Sequence, residues 1–166
     1  AAVRAVERCR LPNGAFSYDV MSVPSPGGME DINAVKGSLG RIQVCTLALL
    51  RAGAKVKVED LRRGLEEFFE HHKFLDYVRQ KPIPHEGFYL NAAYFYFFGH
   101  FYAAGVIERL PAADRARFAP LLAQEIVKTV EKDGSMWDFW IAGYTRPYGT
   151  AFGIMALSRM LALTSG

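Results

Sequence analysis

The apolar positions of this chain recur at helical spacing, and the helical segments are of two alternating kinds. In "VEDLRRGLEEFFE" (58–70), Leu61, Leu65, Phe68 and Phe69 fall on one side and the charges on the other, the stripe of a helix half in water. By contrast, "VCTLALL" (44–50), "AAYFYFFGHFYAAG" (92–105) and "AFGIMAL" (151–157) contain no Asp, Glu, Lys or Arg. Six helices are predicted, over about 1–10, 36–52, 58–80, 90–109, 114–132 and 150–163. Their boundaries follow from "LPNG", from Gly53, from the two prolines of "KPIPHEG", and from "LPAAD" with Asp114 as a cap. "SVPSPGG" (22–28) reads as a flexible loop, and only short runs such as "KVKVED" alternate as strands do. The first, third and fifth helices are charged on one side; the second, fourth and sixth are dry apart from their ends. That alternation predicts an all-α protein of two layers. Each hairpin puts one helix outside and one inside, and the three inner helices stand side by side as a dry wall.

The turns from outer to inner helix repeat as well. "NGAFSY" (13–18), "HEGFYL" (85–90) and "DGSMWDF" (133–139) each place a glycine before aromatics. Glycine permits the sharp reversal, and the aromatics, Trp137 and Trp140 among them, are expected to fold into the seam between neighbouring hairpins. The intervals from Gly14 to Gly87 and from Gly87 to Gly134 are 73 and 47 residues, so the repeat is degenerate, the longer interval holding an extra hairpin.

The 166 residues suffice for one domain, and 51% hydrophobic content with 22% charged residues excludes a disordered chain. The net charge is +3, but basic and acidic residues are interleaved, as in "VEDLRRGLEEFFEHHK", which describes solvated helix faces and not a nucleic-acid stripe. Residues 87–107 carry no charge, yet four tyrosines, Asn91 and His100 are spread through them, so this is a buried helix and not a membrane span. Cys9 and Cys45 are too few for a disulfide scaffold. The chain opens in helical rhythm at "AAVRAVERCR" without an initiator Met, and is expected to be part of something longer.

"KDGSMWDF" followed by "YGTAFGIMAL" resembles the repeat of squalene-hopene cyclases, oxidosqualene cyclases and protein prenyltransferase β subunits, in which a "DGSW" turn precedes an inner helix opening in a "GTAxALxAL" style. "GRIQVCTLALLRAG" (40–53) is similar to another such inner helix, and "NGAFSY" to the "DGGFxY" form of the turn. The likeness covers most of the chain as rhythm and three short motifs as residues. It implies an α/α toroid, a ring of helical hairpins of which residues 1–166 would supply about three outer/inner pairs, a partial ring. The chain has no "DxDD" acid box of the cyclase kind, and no Asp stands two residues before Cys45 as a prenyltransferase-type zinc ligand would. Activity of the implied type therefore requires an acidic motif from elsewhere in a longer protein.

The resemblance implies an aromatic inner face that binds an apolar, isoprenoid-like molecule, with Tyr94, Tyr96, His100, Tyr144, Arg146 and Tyr148 as candidate ligand-binding residues. An imidazole at His100 would supply an acid, base or ligand, or else a buried partner for a tyrosine or carbonyl. Arg146, between Tyr144 and Tyr148 at a helix start, would hold a diphosphate or carboxylate, or else pair with Asp138 and stack on a tyrosine. His85 and Glu86 are expected to cap their turn. No metal site and no cofactor is predicted: His71 and His72, adjacent on one continuous helix, diverge by about 100°. Two other readings use the same residues differently. A non-catalytic helical-repeat module would dock a protein, and a glycan-active α/α barrel would stack Trp137 and Trp140 on sugars. A partial ring leaves its terminal hairpins uncapped, which predicts self-association or a partner domain.

Overall fold

A computed structural model describes residues 1–20 and 32–164. The expected loop at 22–28 and the acidic residues Glu30 and Asp31 lie outside the described residues. Within them the chain forms seven α-helices and no β-strand: α1 (Ala2–Arg8), α2 (Leu39–Arg51), α3 (Val58–Glu70), α4 (Lys73–Arg79), α5 (Tyr96–Ile107), α6 (Ala112–Val127) and α7 (Thr145–Thr164), with short 3-10 turns at Val35–Gly37 and Ala93–Phe95. The protein is all-α, and no described helix is long and apolar enough to cross a membrane.

The three dry helices lie in a row, with α5 in the middle packed against α2 on one side and α7 on the other. The half-wet helices cover them: α1 and α3 on α2, α6 on α5 and α7, and α3 on α6. Their stripes supply the main core, in which Leu61, Leu65 and Phe68 of α3 and Phe118, Leu122 and Ile126 of α6 meet Phe97, Ala103, Ala104 and Ile107 of α5. A smaller core of Phe16, Ile42 and Leu49 seats Val3 and Val6 of α1. α2 and α5 come close at Gly40 and Gly99, where a Cβ on Gly40 would stand 3.5 Å from the Gly99 Cα.

The row is less dry than the sequence predicts. α7 is its last member, and its outer flank (Ala151, Ile154, Met155, Leu161 and Ala162) is exposed along the helix, with Leu161 62% accessible. No described helix lies beyond it.

Two of the three turns are one structure twice over. In the first, Gly14 N–H donates to Leu11 O, Leu11 N–H to Ala15 O, and Ala15 N–H to Asn13 Oδ1. In the third, Gly134, Glu131, Ser135 and Asp133 make the same bonds in the same order, and Gly14 and Gly134 share a left-handed backbone, φ +89° and +81°. Each turn is then tied to its inner helix by one hydroxyl. Ser38 Oγ accepts from Phe16 N–H (3.2 Å) and donates to Phe16 O (3.1 Å), and Thr150 Oγ1 does the same with Met136 (2.9 and 3.1 Å). The middle turn departs. The Glu86 carboxylate accepts from the amides of Phe88, Tyr89 and Asn91 at 2.6–3.1 Å, and Leu90, with φ +58°, makes the reversal.

These local bonds explain where the helices differ from expectation. The fourth expected helix begins six residues late, at Tyr96, because Glu86 holds the amides of residues 88–91 in a turn. The sixth begins five residues early, at Thr145, because Pro147 fits a first helical turn and the Thr145 hydroxyl accepts from Phe139 N–H and shares its one proton between Phe139 O and Ala142 O. The fifth starts after Pro111, with Asp114 bonded to Arg62 and not capping, and stops at Val127, where tight turns through Thr129 and Val130 lead into the Glu131 reversal. The third breaks at His71–His72, and its continuation, α4, is a separate helix.

Candidate functional site

α5 has two different faces, and each carries a candidate site. The first is a cavity of about 370 Å3, within the range of small-molecule pockets. Gly40, Val44 and Cys45 of α2 form one wall, and Tyr94, Phe95 and Phe98 the other; Arg41, His85 and Asn91 are the polar groups at its margin. The close approach at Gly40 and Gly99 leaves no side chain between the two helices there. From the cavity a row of touching rings runs on across α5 to α7. His85, Tyr94, Phe95, Phe98, Tyr102, Phe101, Phe152 and Tyr148 follow one another with ring centres 4.6–5.5 Å apart, within the distance of favourable aromatic pairing. Tyr94 is held by a 2.8 Å hydrogen bond between its hydroxyl and His85 Nε2. Cys45 is a thiol, not a thiolate: burial, against the pull of Arg41, pushes it up to about 11.

The opposite face of α5 carries a buried polar cluster. His100 is fully buried and His72, at the break between α3 and α4, nearly so; their Nε2 atoms are 2.9 Å apart. The hydrogens follow from the partners. His100 Nδ1 lies 2.7 Å from Tyr96 O, a carbonyl that only accepts, so Nδ1 carries the proton and Nε2 accepts from His72. His72 Nδ1 in turn faces two carboxylates, Asp76 Oδ2 at 3.1 Å and Glu125 Oε2 at 3.0 Å. His72 thus donates from both nitrogens. Burial opposes its charge, but the Asp76 and Glu125 carboxylates beside it hold its pKa above the ordinary histidine value. Burial and the neighbouring His72 charge push His100 down to about 3. Burial also opposes ionisation of Asp76, yet His72 and Lys128 keep it well below the usual carboxylate range. The Tyr96 hydroxyl donates to Asp76 Oδ1 at 3.0 Å, and Lys128 bridges Asp76 and Glu125.

The third turn answers why a loop should be so apolar. Met136 is buried, and the Trp137 ring covers the buried guanidinium of Arg79 at 3.9 Å. Arg79 donates to Trp137 O at 2.8 Å, and the indole N–H donates to Glu131 at 2.7 Å. Trp140 takes no part in the seam and is 55% exposed. Asp138, fully buried, reaches the first turn of α5, where Oδ1 accepts from Phe97 N–H at 2.7 Å while Oδ2 has no hydrogen-bond partner. Burial raises its pKa to about 7, against the Phe97 bond and the Arg79 charge.

The six sequence candidates are therefore dispersed. Tyr94 lines the cavity, and Tyr148 ends the row of rings that leads away from it. Tyr96 and His100 point into the polar cluster on the other side of α5, because positions 96 and 100 face the outer helices while 95, 98 and 102 do not. Tyr144 is 69% exposed. Arg146 is spent in an ion pair with Asp133 (2.9 Å) and a bond to Ser135, so it braces the glycine turn and does not pair with Asp138. Phe95, Phe98 and Gly40 were not singled out by the sequence, nor were Asp76 and Glu125; His72 was weighed only with His71 and set aside as a ligand, although its four-residue spacing to Asp76 is that of neighbours on a helix.

Compared with protein-family models, with curated proteins and with solved structures, the chain matches none of them.

Proposed function

We propose that the chain is a segment of an α/α ring of helical hairpins of the squalene-cyclase and prenyltransferase type, and that its aromatic side binds an apolar, isoprenoid-like molecule. The observation that carries this reading is the cavity between α2 and α5 with the continuous row of rings leading from it to α7. Ring faces suit a flexible hydrocarbon because they give contact area without a directional demand. The role proposed is binding: the sequence has no "DxDD" box to protonate an olefin, and burial favours the thiol form of Cys45. The test is titration of the chain with farnesol and with a squalene analogue, followed by calorimetry. Saturable binding is expected, weakened about tenfold by Phe98→Ala, a loss of about 1.4 kcal/mol. Absence of binding, or binding indifferent to Phe98→Ala, overturns it.

A second reading, an interaction module, is favoured by the exposed apolar flank of α7. It expects concentration-dependent association in light scattering that Ile154→Glu abolishes. The glycan reading has less support, since Trp137 lies under Arg79 and only Trp140 is open to a sugar.

A further inference from the structure

We propose that His72, Asp76 and Glu125 form a site for a divalent transition ion of the zinc type, which enters by displacing Lys128. The donor atoms His72 Nδ1, Asp76 Oδ2 and Glu125 Oε2 lie within 4.8 Å of one another, and the imidazole nitrogen is 3.1 and 3.0 Å from the two oxygens. Ligands about 2 Å from a tetrahedral zinc stand about 3.3 Å apart, so little movement is needed.

Groups outside the triad already orient it as bound ligands are oriented. His72 donates its Nε2–H to His100, which is locked in turn by its bond to Tyr96 O, so Nδ1 is the nitrogen left to face an ion. Tyr96 O–H occupies Asp76 Oδ1 and leaves Oδ2 aimed at the triad. Glu125 Oε2 is sealed from solvent and receives no well-directed hydrogen bond, although His72 and Lys128 lie beside it. Access is short, because the Asp76 and Glu125 side chains are 27% and 24% exposed and Lys128 is 40% exposed, free to swing outward. Charge balances in the exchange: a doubly positive ion replaces the Lys128 ammonium and the His72 Nδ1 proton, which passes to solvent. One imidazole and two carboxylates suit a first-row divalent ion, with water completing the shell.

A second group, Glu67, Glu70 and His71, offers the same kinds of ligand, but it lies along the partly exposed face of α3 and the residue that follows it, so it serves as the control.

The experiment titrates the whole chain with Zn(II) by calorimetry and with Co(II) by visible absorption. The expected result is one ion per chain, with an absorption band of low-coordinate Co(II). Glu125→Gln and Asp76→Asn should each weaken binding at least tenfold, Lys128→Gln should tighten it, and His71→Gln should leave it unchanged. Tyr96→Phe tests a positioning residue: it should weaken Zn(II) binding about tenfold while the circular dichroism melt stays cooperative. The proposal is overturned if neither wild type nor Lys128→Gln binds Zn(II) at millimolar concentration. It is equally overturned if His71→Gln removes the ion or if Glu125→Gln retains it. These results are independent of prenyl-ligand binding, which concerns the other face of α5.

Discussion

The two faces of α5 are built from the same residue types and do opposite things. On the outer side Tyr96 and His100 are sealed against Phe68, His72 and Asp76, Phe97 is buried beside them against Gly149 and Gly153 of α7, and the polar atoms of the first two are bonded: Tyr96 to Asp76, His100 to His72 and to the Tyr96 carbonyl. On the other side Phe95 and Phe98 line the cavity, Phe98 touches both Phe95 and Tyr102, and all three remain partly accessible. An aromatic helix can thus be buried core on one face and open cavity wall on the other. What separates the roles is whether a second layer covers the face, not the composition of the helix.

Removing a ring from each side tests that contrast most directly. Phe97→Ala is expected to destabilise by about 3–5 kcal/mol, the usual cost of emptying a buried phenylalanine site, read by urea denaturation. A loss no greater than that of Phe98→Ala would show that the two faces are equivalent and break the comparison. Asp138→Asn probes the cap that docks on the sealed side. Raised to about 7 in the fold, this carboxyl binds its proton more tightly than in the unfolded chain, where the ordinary value is 3.8. Stability from this group is therefore full below about pH 4 and declines as pH rises through 7. Arg79 and Tyr148 are the ionisable groups near it. The Asn variant keeps an acceptor for Phe97 N–H and should flatten this slope. At pH 8 it gains roughly 1–2 kcal/mol, the relief of the buried charge being offset in part by an amide without an acceptor. An unchanged slope between pH 5 and 8 would show that Asp138 is already ionised at no cost. The smallest effect on stability is expected from Phe98→Ala, on the order of 1 kcal/mol because the ring is only partly buried. Its consequence should appear in ligand affinity.

Much of the fold was legible because it depends on period and charge. The stripe of α3, the uncharged stretches that became α2, α5 and α7, and the Gly53 stop all follow from residues close in sequence, and Gly53 has the expected φ of +77°. The paired glycine turns were visible too, although the hydroxyls that tie them, Ser38 and Thr150, lie 14 or more residues away and left no local mark. The break at His71–His72 could not be read, since "EHHKFLD" contains nothing that opposes a helix. What turns His72 inward is His100, 28 residues on, with Glu125 and Lys128 beyond it. The cavity residues were confused for a related reason. A helix that is apolar all round gives no amphipathic clue to its facing, so Tyr96 and Phe98 looked alike until their neighbours were known. Tyr94, expected on the helix, lies in the 3-10 turn before it and lines the cavity from there.

The reach of Asp138 into the start of α5 also constrains how the protein is made. The amide it captures belongs to a residue synthesised 41 positions earlier, so while the nascent chain is emerging that first-turn donor of the central helix is left to water. That turn gains its Asp138 acceptor only after the segment around residue 138 has left the ribosome and folded back. A product released short of residue 138 would hold α5 loosely at the end where its aromatic side begins, and proteolysis of such a product should start there.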